Sequence, residues 1–198
     1  MKELNIIVTL EEEMLGTSSS DPNVHREYIA SKAPDAPSTE EEVEALGVEG
    51  VIIKGMTVFP KENGIPFVWD YMIKGFFKDS CNALARVKDT RSSKIKAYKK
   101  VIDGLIFPQP RKIMLNIPKG KEMGNCQRPL RANTAQGERI ALANSETVPE
   151  GTTMKCTIKI LEDSHEKLVK EWLDYGELKG LGQWRNSGKG RFSWKEVK

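Results

Sequence analysis

Residues 179–192 read Lys-Gly-Leu-Gly-Gln-Trp-Arg-Asn-Ser-Gly-Lys-Gly-Arg-Phe, and the rest of the chain is best understood from this glycine-rich stretch. Glycine has no Cβ, so its backbone reaches positive φ values and its N–H groups can approach an anion such as a phosphate. No Gly-Lys-Ser/Thr closes the stretch, which excludes the nucleotide-binding P-loop. Two interpretations remain open: a loop that binds a nucleic-acid backbone, and a tight surface turn before a last strand.

The charge of the chain is divided between its two parts. Residues 1–50 contain 12 Asp and Glu against 3 Lys and Arg, whereas residues 51–198 contain 28 Lys and Arg against 16 Asp and Glu. A polyanion such as a nucleic acid is expected to bind the basic part. The acidic part is expected to shield that surface, to face solvent or to contact a basic partner protein.

Composition also excludes several classes of protein. Cys81, Cys126 and Cys156 form no Cys-x-x-Cys pair, so neither a disulfide framework nor a zinc knuckle is indicated, and they are expected to be small apolar residues in a reducing compartment. No apolar run is long enough to span a membrane and the first residues lack a signal-peptide profile, which predicts a cytoplasmic protein. Nothing in the sequence indicates a nucleotide cofactor, a structural metal or a nucleophile triad.

Apolar periodicity predicts the order of the elements. Alternation of apolar and polar residues predicts strands at 4–10, 51–59, 140–144, 154–161 and 192–197. Helical spacing and capping residues predict helices at 23–31, 70–84 and 93–103, and a capping box at 163–166 opens a helix that ends at Gly176. Residues 105–117 are predicted to be extended, and residues 119–139 to form a hairpin or loop. We expect one domain over 1–198, with an acidic insertion or flap at 11–49 and a basic insertion at 86–139.

The position of the glycines narrows the interpretation. Gly180-Leu181-Gly182, a five-residue spacer that contains Arg185, and Gly188-Lys189-Gly190 lie between the last predicted helix and the last predicted strand. This pattern is similar to the glycine-rich signature of the RAMP superfamily, the CRISPR-associated RNA-binding proteins. Residues 143–161 resemble the central hairpin of that superfamily, and residues 66–84 resemble the segment that opens the first helix of its backbone-forming members. The resemblance implies an α+β fold, with a ferredoxin-like or RRM-like βαββαβ core and insertions.

The resemblance implies a non-catalytic protein that binds single-stranded RNA or single-stranded DNA and is related to the backbone subunits of CRISPR effectors. Other subunits of a ribonucleoprotein, or further copies of this chain, would be its partners, with no membrane involved. Trp184 could stack on a base or anchor the loop to the core, and the lysines near residue 97 could extend the RNA track or form a solvated face. The residues expected to bind nucleic acid are Lys179, Gly180, Gly182, Trp184, Arg185, Gly188, Lys189, Gly190, Arg191, Lys94, Lys96, Lys99 and Lys100.

Two alternative functions remain open. The first is a metal-independent endoribonuclease that processes CRISPR transcripts, in which His25, Tyr28 and Lys32 on one helix face would act as base, acid and stabilising cation. Asp21 could correspond to the acidic residue with which some backbone members cut target RNA, although it also fits a helix cap. The second alternative is an interaction protein from a mobile element, such as a phage, that mimics or blocks a CRISPR effector.

Overall fold

The computed structural model describes residues 1–20, 55–134 and 137–197. The segments predicted as a helix at 23–31 and as the start of a strand at 51–53 lie outside the described residues, as do Asp21, His25, Tyr28 and Lys32. The strands are β1 (Lys2–Leu10), β2 (Met14–Leu15), β3 (Ser18–Ser19), β4 (Thr57–Val58), β5 (Lys61–Glu62), β6 (Ile65–Trp69), β7 (Ile106–Gln109), β8 (Lys112–Asn116), β9 (Gly124–Thr134), β10 (Gly137–Val148), β11 (Thr153–Ile160) and β12 (Phe192–Glu196). The α-helices are α1 (Asp70–Leu84), α2 (Tyr98–Leu105), α3 (Glu166–Asp174) and α4 (Gly176–Lys179).

One sheet has the strand order of a ferredoxin-like domain. β1 lies between β12 and β11 and is antiparallel to both, and β7 pairs with β11 on its other side. Helix α1 comes between β1 and β7 in the chain, and α3 comes between β11 and β12, which completes a βαββαβ core. The predicted α+β fold class is therefore confirmed. β8 also pairs with β11 and extends the sheet through β6 and β5.

The core lies between this sheet and its two long helices. Alternate residues of β1, from Leu4 to Leu10, are buried against them, as period-two alternation requires. Phe77 of α1 and Trp172 of α3 are fully buried with ring centroids 5.5 Å apart. Burial of each such side chain contributes roughly 1.5 to 3 kcal/mol to stability.

A second sheet is built around the hairpin of β9 and β10. On the other side of β10 lie β2, which pairs at its end, and β4, which in turn pairs with β3. Met14 and Leu15 of β2 are fully buried, so the described part of the acidic segment, residues 11–20, belongs to this sheet. The hairpin expected at 119–139 is present and extends to Val148. Within the described residues, no helix combines the length and the apolar character needed to cross a bilayer.

The predicted capping box at 163–166 is wrong. Residues Asp163–His165 form a 3-10 turn, and α3 begins at Glu166 without a side-chain cap. The Glu166 carboxylate instead binds the ammonium groups of Lys2 and Lys170. Two cations attract a carboxylate more strongly than one backbone N–H does, so these contacts override the local capping pattern.

The helix predicted at 93–103 is divided. A 3-10 turn spans Ser92–Lys94, and α2 begins only at Tyr98. Between them Ala97 has a φ of 51°, in the left-handed region that interrupts an α-helix of L-residues.

Candidate nucleic-acid interface

The glycine-rich loop lies directly beyond the end of β1, and its glycines pack against protein backbone. Gly180, Gly182, Gly188 and Gly190 have φ values of 76°, 79°, 87° and 72°. The N–H of Leu181 donates to the carbonyl of Gly190 at 2.9 Å, and the N–H of Gly190 donates to the carbonyl of Glu13 at 2.8 Å. A Cβ on Gly180 would lie 2.5 Å from the carbonyl carbon of Gly190, and a Cβ on Gly190 would overlap the carbonyl of Leu181. The close backbone approach that glycine permits is therefore used inside the molecule.

The cations of this loop are paired with carboxylates of the same chain. The three pairs are Arg185 with Asp79 at 2.8 Å, Lys189 with Glu13 at 2.6 Å, and Arg191 with Glu12 at 3.5 Å. The hydrogen bond from Lys189 to Glu13 raises the pKa of the lysine, because it stabilises the charged form. Lys179 lies nearby and donates to Asn186 Oδ1 at 3.4 Å. A phosphate would have to displace a carboxylate to reach any of the three paired cations.

Trp184 is the exposed aromatic residue of the loop. Its side chain is 42% accessible and its φ is 53°, a left-handed conformation that is uncommon for a bulky residue. The guanidinium of Arg128 lies 5.0 Å from the ring centroid, within cation–π range, and also donates to Gln183 Oε1 at 3.1 Å. Trp184 is therefore held at the surface and leaves indole area open for stacking. Sequence reasoning missed Arg128, whose only signal was its place in the predicted basic insertion at 86–139.

The second predicted set of cations belongs to a segment with unpaired charge. Seven cationic side chains between residues 86 and 100 are exposed, and none of them forms an ion pair with a carboxylate in the part of the chain that the structure describes. They are Arg86, Lys88, Arg91, Lys94, Lys96, Lys99 and Lys100. We call this set the basic segment. Its charges are available to a polyanion, unlike the three paired cations of the glycine-rich loop.

The structure does not bring Lys94 and Lys96 together with the glycine-rich loop. Lys94 and Lys96 line a cavity with Ser164 and His165, which follow the end of β11. At that end of the sheet Ile160 pairs with Lys2, the first residue of β1. The glycine-rich loop lies at the opposite end, where Leu10 pairs with Phe192. Lys94 and Lys96 therefore lie towards the opposite end of β1 from the loop, whereas Arg91 lines a groove with Leu178, the residue that precedes Lys179.

On β1 and β11, the face of the sheet that points away from the helices carries no aromatic residue on which a base could stack. RNA-recognition motifs stack bases on aromatic residues of this face. Here β1 and β11 present polar and aliphatic side chains, with Asn5 Oδ1 accepting a hydrogen bond from Thr157 at 2.7 Å and Glu3 pairing with Lys159 at 3.3 Å. Lys155 and Lys195 are the exposed cations of this face.

The described residues contain no group of three or more His, Cys, Asp or Glu side chains that could hold a metal ion. His165 is the histidine of the described part, and its Nδ1 lies 3.7 Å from Glu162 Oε2 without a hydrogen bond.

No family model matches the sequence, and no curated protein matches it. Several solved structures match its fold. A chain from the cryo-EM structure of the type III-B Cmr-beta complex bound to cognate target RNA is 11% identical, with a TM-score of 0.58, and the match covers 99% of this chain and 58% of that chain. This chain therefore spans less than two thirds of the length of that subunit.

A chain from a type IV-B CRISPR complex is 10% identical, with a TM-score of 0.51, and the match covers 99% of this chain and 90% of that chain. Cmr6 from Pyrococcus furiosus is 10% identical, with a TM-score of 0.48 and 97% of each chain covered. The first two likenesses show that the chain has the fold found in subunits of CRISPR complexes.

Proposed function

We propose that this protein is a RAMP-like subunit of a CRISPR-type ribonucleoprotein and that it binds single-stranded RNA without cleaving it. The observation that carries the proposal is the basic segment, whose exposed cations have no carboxylate partner in the described residues. Contact with phosphates releases the counterions condensed on RNA, which favours binding by such a set. The likeness to a subunit of an RNA-bound type III-B complex supports this function.

In this proposal the two predicted regions have different roles. The basic segment contacts phosphates, and Trp184 stacks on a base at the other end of the core. The cations and glycines of the glycine-rich loop hold the loop against the turn between β1 and β2, so that Trp184 is presented at the surface. A stacked base is worth roughly 1 to 3 kcal/mol, enough for one indole to affect RNA affinity measurably.

The test compares two pairs of exposed lysines that carry the same charge. The double variant Lys99→Gln, Lys100→Gln changes the basic segment, and Lys155→Gln, Lys195→Gln changes the open face of the sheet. Affinity for an unstructured RNA is measured by fluorescence anisotropy over a range of salt concentrations. The first variant is expected to lower the slope of log affinity against log salt by about 1.4, because each lost phosphate contact removes about 0.7. The second variant is expected to keep the slope of the unmodified protein.

Two results would contradict the proposal. One is an equal loss of affinity and slope in both double variants, which would point to non-specific attraction or to the open face. The other is the absence of RNA binding by the unmodified protein. In that second case, capture of CRISPR effector subunits on the immobilised protein would favour the interaction protein from a mobile element.

A DNA oligonucleotide of the same sequence reports whether the 2′-hydroxyl of RNA contributes to affinity.

A further inference from the structure

A cavity of about 760 Å³ opens between the beginning of α3 and the chain that leads into α2. This volume lies within the range of small-ligand sites, roughly 300 to 1,000 Å³. The cavity combines a cationic side with an apolar wall. Among its lining residues are Arg91, Lys94, Lys96, Ile95, His165 and Leu168.

The wall that carries the cations is fixed to α3. The Glu171 carboxylate accepts hydrogen bonds from the N–H of Arg91 at 2.7 Å, the N–H of Ser92 at 3.0 Å and the Ser92 hydroxyl at 2.6 Å. The Ser92 hydroxyl in turn accepts a hydrogen bond from the buried Trp172 Nε1 at 2.9 Å. This chain of contacts ties the segment to the core. A ligand would therefore meet a preformed site and lose little free energy in ordering it.

The backbone turn at Ala97 also supports a preformed ligand site. A non-glycine residue with a φ of 51° is in a strained conformation, and such residues cluster at ligand sites. Here the turn ends the stretch that carries Lys94 and Lys96 and begins α2, which contributes Val101 to the cavity. Both lysines therefore line one concave surface instead of spreading along a continuous helix.

The charge of the cavity favours an anion. Arg91, Lys94 and Lys96 have no carboxylate partner among the described residues. Glu171 also lines the cavity, but its oxygens already accept the three hydrogen bonds that hold the wall. Asp89 is the other acidic lining residue, so the cations outnumber the carboxylates that are free to pair with them.

We propose that this cavity binds a nucleoside monophosphate unit, with its phosphate monoester among Arg91, Lys94 and Lys96 and its base against Ile95 and Leu168. A phosphate monoester carries a charge of about −1.5 to −2 at neutral pH, more than the single charge of a phosphate within an RNA strand. Three cations around one concave site therefore favour a terminal phosphate over an internal one. The unit comes either from the end of an RNA or from a free nucleotide, and only the RNA source rests on the proposed function.

The experiment uses the full chain and three RNAs of one sequence, with a 5′-phosphate, a 3′-phosphate or hydroxyl groups at both ends. Adenosine 5′-monophosphate is titrated separately by calorimetry. We expect one phosphorylated RNA to bind about tenfold more tightly than the hydroxyl form, which corresponds to about 1.4 kcal/mol. The double variant Lys94→Gln, Lys96→Gln should lose this preference, whereas Lys155→Gln, Lys195→Gln should retain it. Thermal unfolding of each variant verifies that the exposed substitutions leave the fold intact.

The outcomes separate this inference from the proposed function. If RNA binds with equal affinity in all three forms and the mononucleotide does not bind, the cavity proposal is overturned and the RNA-binding proposal stands. If the mononucleotide binds in a Lys94- and Lys96-dependent manner but RNA does not, the cavity proposal stands with a free nucleotide as ligand and the RNA-binding proposal fails. A terminal-phosphate preference that survives the Lys94→Gln, Lys96→Gln substitution also overturns the cavity proposal.

Discussion

At the scale of single residues, the glycines of the loop are required by contacts within the protein. Gly190 has a φ of 72° and leaves no room for a Cβ beside the carbonyl of Leu181. Gly75 differs in both respects, because it lies on exposed α1 surface and a Cβ there meets nothing within 4 Å. Gly190 and Gly75 therefore form a matched pair of positions at which to compare the substitution of glycine by alanine.

We expect Gly190→Ala to lower the free energy of unfolding by at least about 2 kcal/mol, since it combines left-handed strain with a backbone clash. Gly75→Ala should raise the free energy of unfolding by roughly 0.5 to 1 kcal/mol, the ordinary gain from alanine in a helix interior. Urea denaturation monitored by circular dichroism measures both. A Gly190→Ala protein of unchanged stability would show that the loop does not depend on this close approach.

Glu166 is a residue whose protonation affects folding. Hydrogen bonds from Lys170 and Lys2 lower the pKa of its carboxyl to about 2 from the ordinary value of 4.5. Because the folded-state pKa is depressed, the stabilisation is complete above pH 4.5 and disappears as the pH falls towards 2. We expect Glu166→Gln to melt at a lower temperature than the unmodified protein at pH 7, and the two melting temperatures to converge in acid. A difference that is constant with pH would contradict this assignment.

At the scale of elements, the glycine-rich loop connects the two sheets. Gln183 donates to the carbonyl of Gly16 at 2.9 Å, and Lys189 pairs with Glu13 just before β2. Glu13 lies between β1 and β2, and Gly16 lies between β2 and β3 of the second sheet. The loop therefore fixes how the second sheet is attached to the core.

We accordingly expect Lys189→Gln to affect stability more than RNA binding. The Lys189–Glu13 pair is partly exposed, so its loss should reduce the free energy of unfolding by no more than about 1 kcal/mol. RNA affinity should change by less than about twofold, because that charge is already neutralised. Denaturation and anisotropy on the same preparation measure both quantities, with Glu13→Gln as the partner variant. A large loss of affinity at unchanged stability would instead assign Lys189 to phosphate binding.

At the scale of the whole molecule, Lys94, Lys96 and α2 lie towards one end of β1, and Trp184 lies towards the other. Sites that share no contacts contribute independently, so their substitutions should be additive within about 0.5 kcal/mol. We expect Trp184→Ala and the Lys99→Gln, Lys100→Gln pair to show additive losses with a long RNA. With an RNA too short to span both sites, only one of the two losses should appear. Strong non-additivity with the long RNA would show that both groups contact the same nucleotides.

The sequence by itself determined the local elements of this protein. The alternation from Leu4 to Leu10 identified β1, the spacing after Asp70 identified α1, and the position of the glycines before β12 identified the fold class. These patterns depend on interactions between residues close in the chain, which periodicity and backbone preference report directly. Ala97 and the false capping box are the exceptions, because distant contacts or a strained backbone override the local pattern there.

Only the tertiary structure decided which cations are available. Lys189 and Glu13 are separated by 176 positions in the sequence, and Arg185 and Asp79 by 106, yet each pair is in contact. No local pattern specifies such pairs, since they form when strands and helices pack. The same packing places the unpaired lysines at the far end of the sheet and forms the open cavity that Lys94 and Lys96 line. The glycine-rich loop thus identified the fold from sequence. Long-range ion pairs occupy three of its cations, so the unpaired cations of the basic segment are the candidate phosphate contacts.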